Sequence, residues 1–373
     1  MASSTVDNKK HAIICSGLNC LDLQLLGCTK SGQEEAIEQY EAAVYCAGGS
    51  AAMAATTLAQ IEDSQRDIYI LTKLGADLNG RMMLDFFTKS GARTELCLTS
   101  PNVATALSVL PIFKTGGRGC FFNLASNNSF TSQELLLQLE KLISAESKTK
   151  VDAFLFGYPH LLPLMQGNDL AKMLQSIRDR LGPDTLIGVD LNGVSTENHS
   201  DNVLGPALQY IDVLHLNEEE AEIFSGCKKQ TLMQSNDMLQ DVCSKLHERG
   251  CAVIVLSMGS KGSFLSVTQD KNRLSQCPKT VRESWTTGQC VRCPAFSITG
   301  EINANGAGDA LFSSFCWAAS TQDYLTLEQA GTFASLVARQ RCDVSTRDEP
   351  KYTAAELVRM VKNGDNLPPL VVS

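Results

Sequence analysis

A glycine-rich turn followed by an acidic residue lies toward the C-terminal end of the chain. Residues 302–313 read Ile-Asn-Ala-Asn-Gly-Ala-Gly-Asp-Ala-Leu-Phe-Ser. Small residues let the backbone turn tightly and let a ligand approach, so the amides of residues 306–309 can point at one anionic group. Apolar residues at helical spacing follow from Ala310. Because a helix N-terminus favours negative charge, the sequence predicts a phosphate-binding turn here.

The acid of this turn, Asp309, falls in the first turn of the predicted helix. The helix dipole favours its carboxylate, which predicts an ionised group at neutral pH. Such a carboxylate can accept the proton of a hydroxyl group beside a bound phosphate. The alternative is that Asp309 only caps the helix and that the glycines only form a turn.

Composition and charge narrow the class of protein. The chain has 373 residues, of which 43% are hydrophobic, and a formal net charge of -9. This acidic balance argues against nucleic acid or a membrane surface as a partner and favours a small-molecule enzyme. The strand-like residues 12–15 come too early for an apolar signal core, which predicts a cytoplasmic protein. The fourteen cysteines are scattered in apolar contexts, as expected of reduced, buried thiols.

Short β-rich runs alternate with helical patterns through most of the chain. The predicted buried strands are Asp67–Leu71, Ala153–Gly157, Leu186–Asp190, Val213–Leu216 and Ala252–Leu256, followed by Ser263–Val267. The predicted helices are Arg81–Ser90, Asp169–Leu181, Glu218–Phe224 and Met233–Arg249. This alternation predicts a three-layer α/β/α fold with a mostly parallel central sheet.

Two segments, residues 23–46 and 96–126, lack long helix signals. Within the second, residues 104–113 and 120–123 flank a glycine-rich turn and predict a hairpin. We therefore expect one domain over residues 1–373, with these segments forming a small β-sheet lid over the ends of the main strands. An exposed lid edge could pair with a second copy to form a homodimer.

Other candidate ligand residues follow predicted strands. Asp22 is a lone acid after the first strand, and a carboxylate there can bind two neighbouring hydroxyl groups of a sugar. Gly48 and Gly49 precede a helix of small residues and permit close approach of a ligand. The structural alternatives are a capping acid for Asp22 and tight helix–sheet packing for the glycine pair.

Two further motifs follow the strands near residues 213–216 and 252–256. Asn217 and Glu220 have the spacing of a helix capping box, so a role of Glu220 with hydrated Mg²⁺ would be additional to it. The motif of Ser257, Gly259 and Gly262 could contact a nucleotide or could be only a turn into the next strand. The chain has no Gly-x-x-x-x-Gly-Lys-Ser/Thr motif, which excludes a P-loop protein.

Taken in order, these motifs resemble those of the ribokinase-like carbohydrate kinases, also called the PfkB family, over residues 12–350. The motifs are Asp22, Gly48-Gly49, Asn217-x-x-Glu220, Ser257-x-Gly259-x-x-Gly262 and Asn305-Gly306-Ala307-Gly308-Asp309. The resemblance implies a central sheet between helical layers with a small β lid. It also implies a catalytic base, an anion hole, an acceptor site, a Mg²⁺ and phosphate site, and a nucleotide site. The base would be Asp309, and Gly306, Ala307 and Gly308 would form the anion hole. Asp22, Gly48 and Gly49 would bind the acceptor. Asn217 and Glu220 would organise Mg²⁺ and the phosphates, and Ser257, Gly259 and Gly262 would line the nucleotide site.

Three positions depart from the family pattern. Met53 stands where relatives usually have Asn in the acceptor site, and Val194 stands where they have Arg. Asn303 replaces an Asp that many relatives use in a monovalent-cation loop, which leaves a requirement for K⁺ open. The resemblance thus implies an ATP- and Mg²⁺-dependent kinase that phosphorylates a hydroxymethyl group of a small sugar. The alternatives are a nucleoside kinase and a catalytically silent relative with a binding or regulatory role.

Overall fold

The structure is a computed structural model that describes residues 10–29, 37–63, 65–114, 117–144, 149–191, 200–225 and 235–365. Its strands are β1 (Lys10–Gly17), β2 (Cys20–Cys28), β3 (Ala42–Gly48), β4 (Arg66–Leu71), β5 (Lys73–Gly75), β6 (Leu98–Ser100), β7 (Leu107–Phe113), β8 (Phe121–Asn123), β9 (Thr149–Gly157), β10 (Leu186–Asp190), β11 (Val213–Asn217), β12 (Val253–Ser257), β13 (Ser263–Val267) and β14 (Cys290–Cys293).

The helices are α1 (Ser50–Ile61), α2 (Leu78–Ser90), α3 (Ser132–Ile143), α4 (Gly167–Leu181), α5 (Ser200–Leu204), α6 (Glu218–Ser225), α7 (Asn236–His247), α8 (Lys271–Ser275), α9 (Lys279–Arg282), α10 (Ala307–Ser320), α11 (Leu327–Cys342) and α12 (Ala354–Asn363). None of the helices described is long and apolar enough to cross a membrane. Each cysteine in the described ranges is free of disulfide bonds, and most of them are buried, although Cys120 is exposed.

The central sheet has eight strands in the order β14-β13-β12-β11-β10-β9-β1-β4. The six strands from β4 to β12 pair in parallel, while β13 and β14 pair antiparallel at one edge. This arrangement confirms the predicted mostly parallel sheet. In parallel strands the carboxyl ends meet at one edge of the sheet, and ligands bind there in open α/β folds.

Two hydrophobic clusters, one on each face of the sheet, make the fold three-layered. Successive residues of a strand point to opposite faces, so Ile13 of β1 joins one cluster and Ile14 joins the other. The first cluster includes residues of α1, α2, α10, α11 and α12. The second includes residues of α3, α4 and α7. The predicted α/β/α layers are therefore confirmed.

A separate four-stranded sheet has the order β3-β2-β7-β8. Strand β2 pairs antiparallel with β3 and parallel with β7, and β7 pairs antiparallel with β8. The β7–β8 pair is the hairpin that the sequence predicts. Strand β6 lies within the predicted segment 96–126 but pairs with β5 instead, in a two-stranded sheet of its own.

Candidate active site

The glycine-rich turn leads into helix α10, as the sequence predicts. Gly306 is its N-cap, in the left-handed region at φ 81°, and a Cβ there would meet the end of the Met53 side chain. This backbone conformation favours glycine. The amide of Ala307 donates to the Ala304 carbonyl oxygen (3.1 Å), whereas those of Gly308 and Asp309 lie in the first helical turn. A helix provides no internal carbonyl for amides in that turn, so these two can face an anion.

Asp309 is only 5% exposed, and Tyr158 donates its hydroxyl hydrogen to Oδ1 at 2.8 Å. Burial, and after it the negative charge of Asp190, raises the pKa of Asp309 to about 7, although the Tyr158 hydroxyl lowers it. The sequence predicts an ionised carboxylate at neutral pH. That prediction overestimates the ionised fraction of Asp309, because the helix dipole acts on a side chain that folding removes from water. Asp309 therefore changes charge near neutrality, in the range where a general base works best.

A cavity of about 280 Å³ lies in front of Asp309, between the small sheet and the carboxyl ends of the central strands. Residues from distant parts of the chain line it: Asp22, Gly48, Gly49, Met53, Ser108, Leu110, Arg118, Gly119, Cys120, Tyr158, Asn305, Gly306 and Asp309. The structure thus brings the predicted acceptor residues of β2 and the α1 turn together with the predicted base.

Asp22 points into this cavity from β2 and is 8% exposed. Cys20 donates to its Oδ1 at 3.2 Å, and a Cβ on Gly48 would collide with its carboxyl group. The absent side chain of Gly48 therefore makes room for the carboxylate. Burial raises the pKa of Asp22 above its ordinary value, although hydrogen bonds from Cys20 and Ser108 and the charge of Arg118 oppose the shift.

A second cavity, of about 360 Å³, lies on the other side of the turn. It contains the three predicted nucleotide residues, together with two residues of the turn and an apolar wall: Ser257, Gly259, Gly262, Ala307, Gly308, Phe296, Ile298, Ile302 and Leu311. Gly306 and Asp309 face the first cavity, whereas Ala307 and Gly308 face the second. The N-terminus of α10 therefore borders both.

Asn217 and Glu220 form the capping box that the sequence allows. The backbone and side-chain amides of Asn217 donate to the two oxygens of Glu220 at 2.8 and 2.9 Å, and the Glu220 amide donates back to Oδ1 of Asn217 at 3.0 Å. Glu220 is 2% exposed. Neither residue lines the two cavities. Glu220 takes part in further interactions besides these hydrogen bonds, so the structure gives the pair as a capping box, and its contact with a water of hydrated Mg²⁺ stays a prediction.

Three polar side chains from adjacent strands of the central sheet form a row, and one of them, Ser257, lines the second cavity. His215 contacts Oδ1 of Asp190 through Nδ1 (2.8 Å) and Oγ of Ser257 through Nε2 (3.1 Å), and its ring stacks on Phe312. Burial lowers the pKa of His215, but the carboxylates of Asp190, Glu220 and Asp309, of which Asp190 contributes most, together raise it overall. Both groups act on Asp309, whose pKa is raised by the charge of Asp190 and lowered by that of His215.

Sequence reasoning located the predicted base and acceptor acid but missed several neighbours. Tyr158 follows β9, at the carboxyl end of a central strand, and this position was the signal that could have identified it. His215 lies inside a strand and gave no such signal. Of the three departures, Met53 lines the first cavity and Asn303 precedes the turn. Val194 lies outside the described residues.

The three-layer fold with its small additional sheet defines the ribokinase-like class of α/β proteins. A model of the pfkB family of carbohydrate kinases matches residues 12–350. The chain belongs to this family.

Curated relatives are distant. The chain is 22% identical over 321 residues to a bifunctional ribokinase/ribose-5-phosphate isomerase A of Fructilactobacillus sanfranciscensis, matching 83% of this chain but only 51%, about half, of that protein. It is 21% identical over 309 residues to a pseudouridine kinase of Escherichia coli, which covers 80% of this chain and 82% of the relative.

Among solved structures, the ribokinase of Arabidopsis thaliana complexed with ribose and ATP superposes with a TM-score of 0.72. The match covers 95% of this chain and 99% of the ribokinase at 15% identity. At this identity the likeness establishes the fold.

Proposed function

We propose that the protein is an ATP-dependent kinase that phosphorylates a hydroxymethyl group of a small sugar. The observation that carries this proposal is the position of the 306–309 turn between two cavities. One cavity offers carboxylates for hydroxyl groups, and the other offers glycine backbone and an apolar wall suited to a nucleotide. The ribose and ATP bound to the structural neighbour support the assignment of sugar and nucleotide.

In this mechanism Asp22 binds hydroxyl groups of the acceptor, and Asp309 accepts the proton of the attacking hydroxyl. The amides of Gly308 and Asp309 stabilise negative charge on the transferring phosphoryl group, with Gly306 and Ala307 shaping the turn. Transfer in line between the two cavities requires no covalent intermediate on the protein.

Ser257, Gly259 and Gly262 would contact the nucleotide, and Glu220, oriented by Asn217, would hold water molecules of Mg²⁺. When bound, Mg²⁺ would neutralise charge on the nucleotide phosphates. These assignments stay predictions.

We further propose that the small sheet acts as a lid that excludes water from the first cavity. Its edge strand β3 exposes Val44 and Tyr45, and this edge could pair with a second copy. Light scattering of the purified protein measures that oligomeric state, and a monomer at all concentrations would contradict the pairing.

A nucleoside acceptor is the second candidate. Met53, Leu110 and Tyr158 give the first cavity an apolar and aromatic wall that could contact a base. The similarity to a pseudouridine kinase supports the same alternative.

The experiment that tests the proposal is ADP release by purified protein with MgATP, across ribose, fructose, other sugars and nucleosides. We expect a strong response to one sugar. A response to nucleosides alone would favour the second candidate. No response to any acceptor, with ATP still bound, would contradict both and favour a silent binding protein.

Tyr158 provides a pH-dependent test of the base. The substitution Tyr158→Phe keeps the ring but removes the hydroxyl that lowers the pKa of Asp309. We expect the pKa of Asp309 to rise further above 7, so that the kcat profile moves to higher pH. The control is Tyr210→Phe, which removes a hydroxyl that contacts only Gln175 among the described residues (3.3 Å). An unmoved profile in the Tyr158 variant would contradict this role of the hydroxyl.

A further inference from the structure

Arg347 lies against the loop that leads into the phosphate-binding turn. Its Nη1 donates to the carbonyl oxygen of Asn303 (3.3 Å), and its Nη2 donates to that of Asn305 (3.1 Å). A guanidinium presents its N–H groups in a rigid planar fork, so one side chain can bind two carbonyls and fix their relative position.

The rest of the loop is held by the same neighbouring segment. The amide of Asn303 donates to the Cys342 carbonyl oxygen (2.8 Å), and the amide of Val344 donates to the Glu301 carbonyl oxygen (3.1 Å). The side chain of Asn303 accepts from the Asn305 amide at 3.0 Å. Asn303 therefore closes its own loop with a neutral oxygen, at the position where the family resemblance implies a carboxylate for a monovalent cation.

The charges around the loop do not fit an added monovalent cation. K⁺ binds to converging carbonyl oxygens, and the Arg347 guanidinium already binds two of them here. Two more guanidinium groups are near. Arg118 donates to Oδ1 of Asn305 (3.3 Å), and Arg341 donates to the Arg347 carbonyl oxygen (3.3 Å). Burial, followed by the charge of Arg347, lowers the pKa of Arg341 to about 10.

Two acidic side chains of this segment have partners outside the loop. The Asp343 carboxylate accepts from the hydroxyl (2.6 Å) and amide (3.0 Å) of Ser345. Asp348 is 86% exposed and lies 3.9 Å from Arg341. The Arg347 guanidinium on the Asn303 and Asn305 carbonyls therefore opposes a second cation at the same oxygens.

We propose that Arg347 is the resident cation of the 303–306 loop, a positioning residue that orients the 306–309 turn, so that the enzyme needs no monovalent cation. This inference rests on the proposed kinase function. It also explains how the loop keeps its shape although Asn303 replaces the acid.

The first test is a cation series on the native protein. kcat and the Kd for MgATP are measured in KCl, NaCl and tetramethylammonium chloride at one ionic strength, because salt screens charge in all three. We expect both quantities to be the same in all three salts. A marked gain of rate or affinity in K⁺ would overturn the inference.

The second test removes the guanidinium. We expect Arg347→Ala to lower kcat by about tenfold or more, given the usual strength of charge-assisted hydrogen bonds. Added guanidinium or K⁺ should restore part of the rate, whereas urea, a neutral molecule of similar shape, should not. Native activity of Arg347→Ala without any added cation would overturn the inference, as would a loss that neither cation restores in a folded variant.

Two controls keep the outcomes distinct. Guanidinium should not restore Asp309→Asn, whose defect is a missing base. If Arg347→Ala does not fold, the cation series on the native protein decides alone. If no acceptor is phosphorylated, the kinase proposal fails, and the dependence of MgATP affinity on K⁺ still decides between a resident and an added cation.

Discussion

Replacing Asp309 by Asn should lower kcat for phosphoryl transfer by about 10²- to 10⁴-fold, the usual contribution of a general base. Asparagine keeps the size of the side chain and can still accept the hydrogen bond from Tyr158, but it cannot accept the acceptor's proton. The Kd for MgATP, measured by calorimetry, should stay close to the native value. A variant that retains most of the native kcat would show that Asp309 only caps helix α10.

The pH dependence of stability in the same variant tests the raised pKa of Asp309. An aspartate titrates near pH 3.9 in an unfolded chain, whereas burial raises the pKa of Asp309 to about 7 in the folded protein. The stability that this raised pKa contributes is present below pH 3.9 and is lost as pH rises through about 7. The Asp309→Asn variant does not lose stability in this way as pH rises. The Tm of the variant minus the Tm of the native protein should therefore increase from pH 5 to pH 8. A falling difference would contradict the raised pKa.

The second large effect is expected at Asp22. Asp22→Asn should lower kcat/KM for the acceptor by about 10- to 100-fold, because hydrogen bonds to a charged group contribute about 1.5–3 kcal/mol. KM for ATP should not change, since Asp22 lines only the first of the two cavities. Steady-state kinetics with each substrate varied in turn measures both quantities.

A matched control is Asp179→Asn, on the exposed part of α4. It changes the net charge by the same amount away from both cavities, so its kinetics should be native. If Asp22→Asn raised KM for ATP and left the acceptor unaffected, the assignment of the two cavities would be reversed.

The fold was largely predictable because the central strands are buried on both faces. Such strands have continuous apolar runs, and the bounds of β10 and β13 were predicted to the residue. Helix α2 begins three residues before its predicted start, because the Asp77 side chain caps it by accepting from the amide of Gly80. A cap of this kind precedes the first apolar residues of the helix, so the apolar pattern alone places the helix start too late.

The candidate site was predictable only where ligand residues follow strands or open a helix. Asp22 and Asp309 are such residues, and the structure places both at one cavity. The contact of Tyr158 with Asp309 spans 151 positions in sequence, and its presence depends on how β9 and α10 pack. The pKa of Asp309 was beyond prediction for the same reason, since burial and Asp190, rather than the local helix, raise it.

The Arg347 contacts could not be predicted from the sequence, for a third reason. Asn303 alone indicated a departure from the monovalent-cation loop, but nothing in the local sequence connected it with a residue 44 positions later. The contacts on which the proposed role of Arg347 rests are visible only when both segments are placed side by side.

The most direct test of the central claim is transfer of the labelled γ-phosphoryl group of ATP to the acceptor found in the ADP-release panel. ADP release alone does not separate transfer from hydrolysis, whereas recovery of the label on the acceptor does. We predict that the native protein places the label on one hydroxymethyl oxygen and that Asp309→Asn leaves it on ATP. Label appearing only as inorganic phosphate, or equal transfer by the variant, would contradict the account.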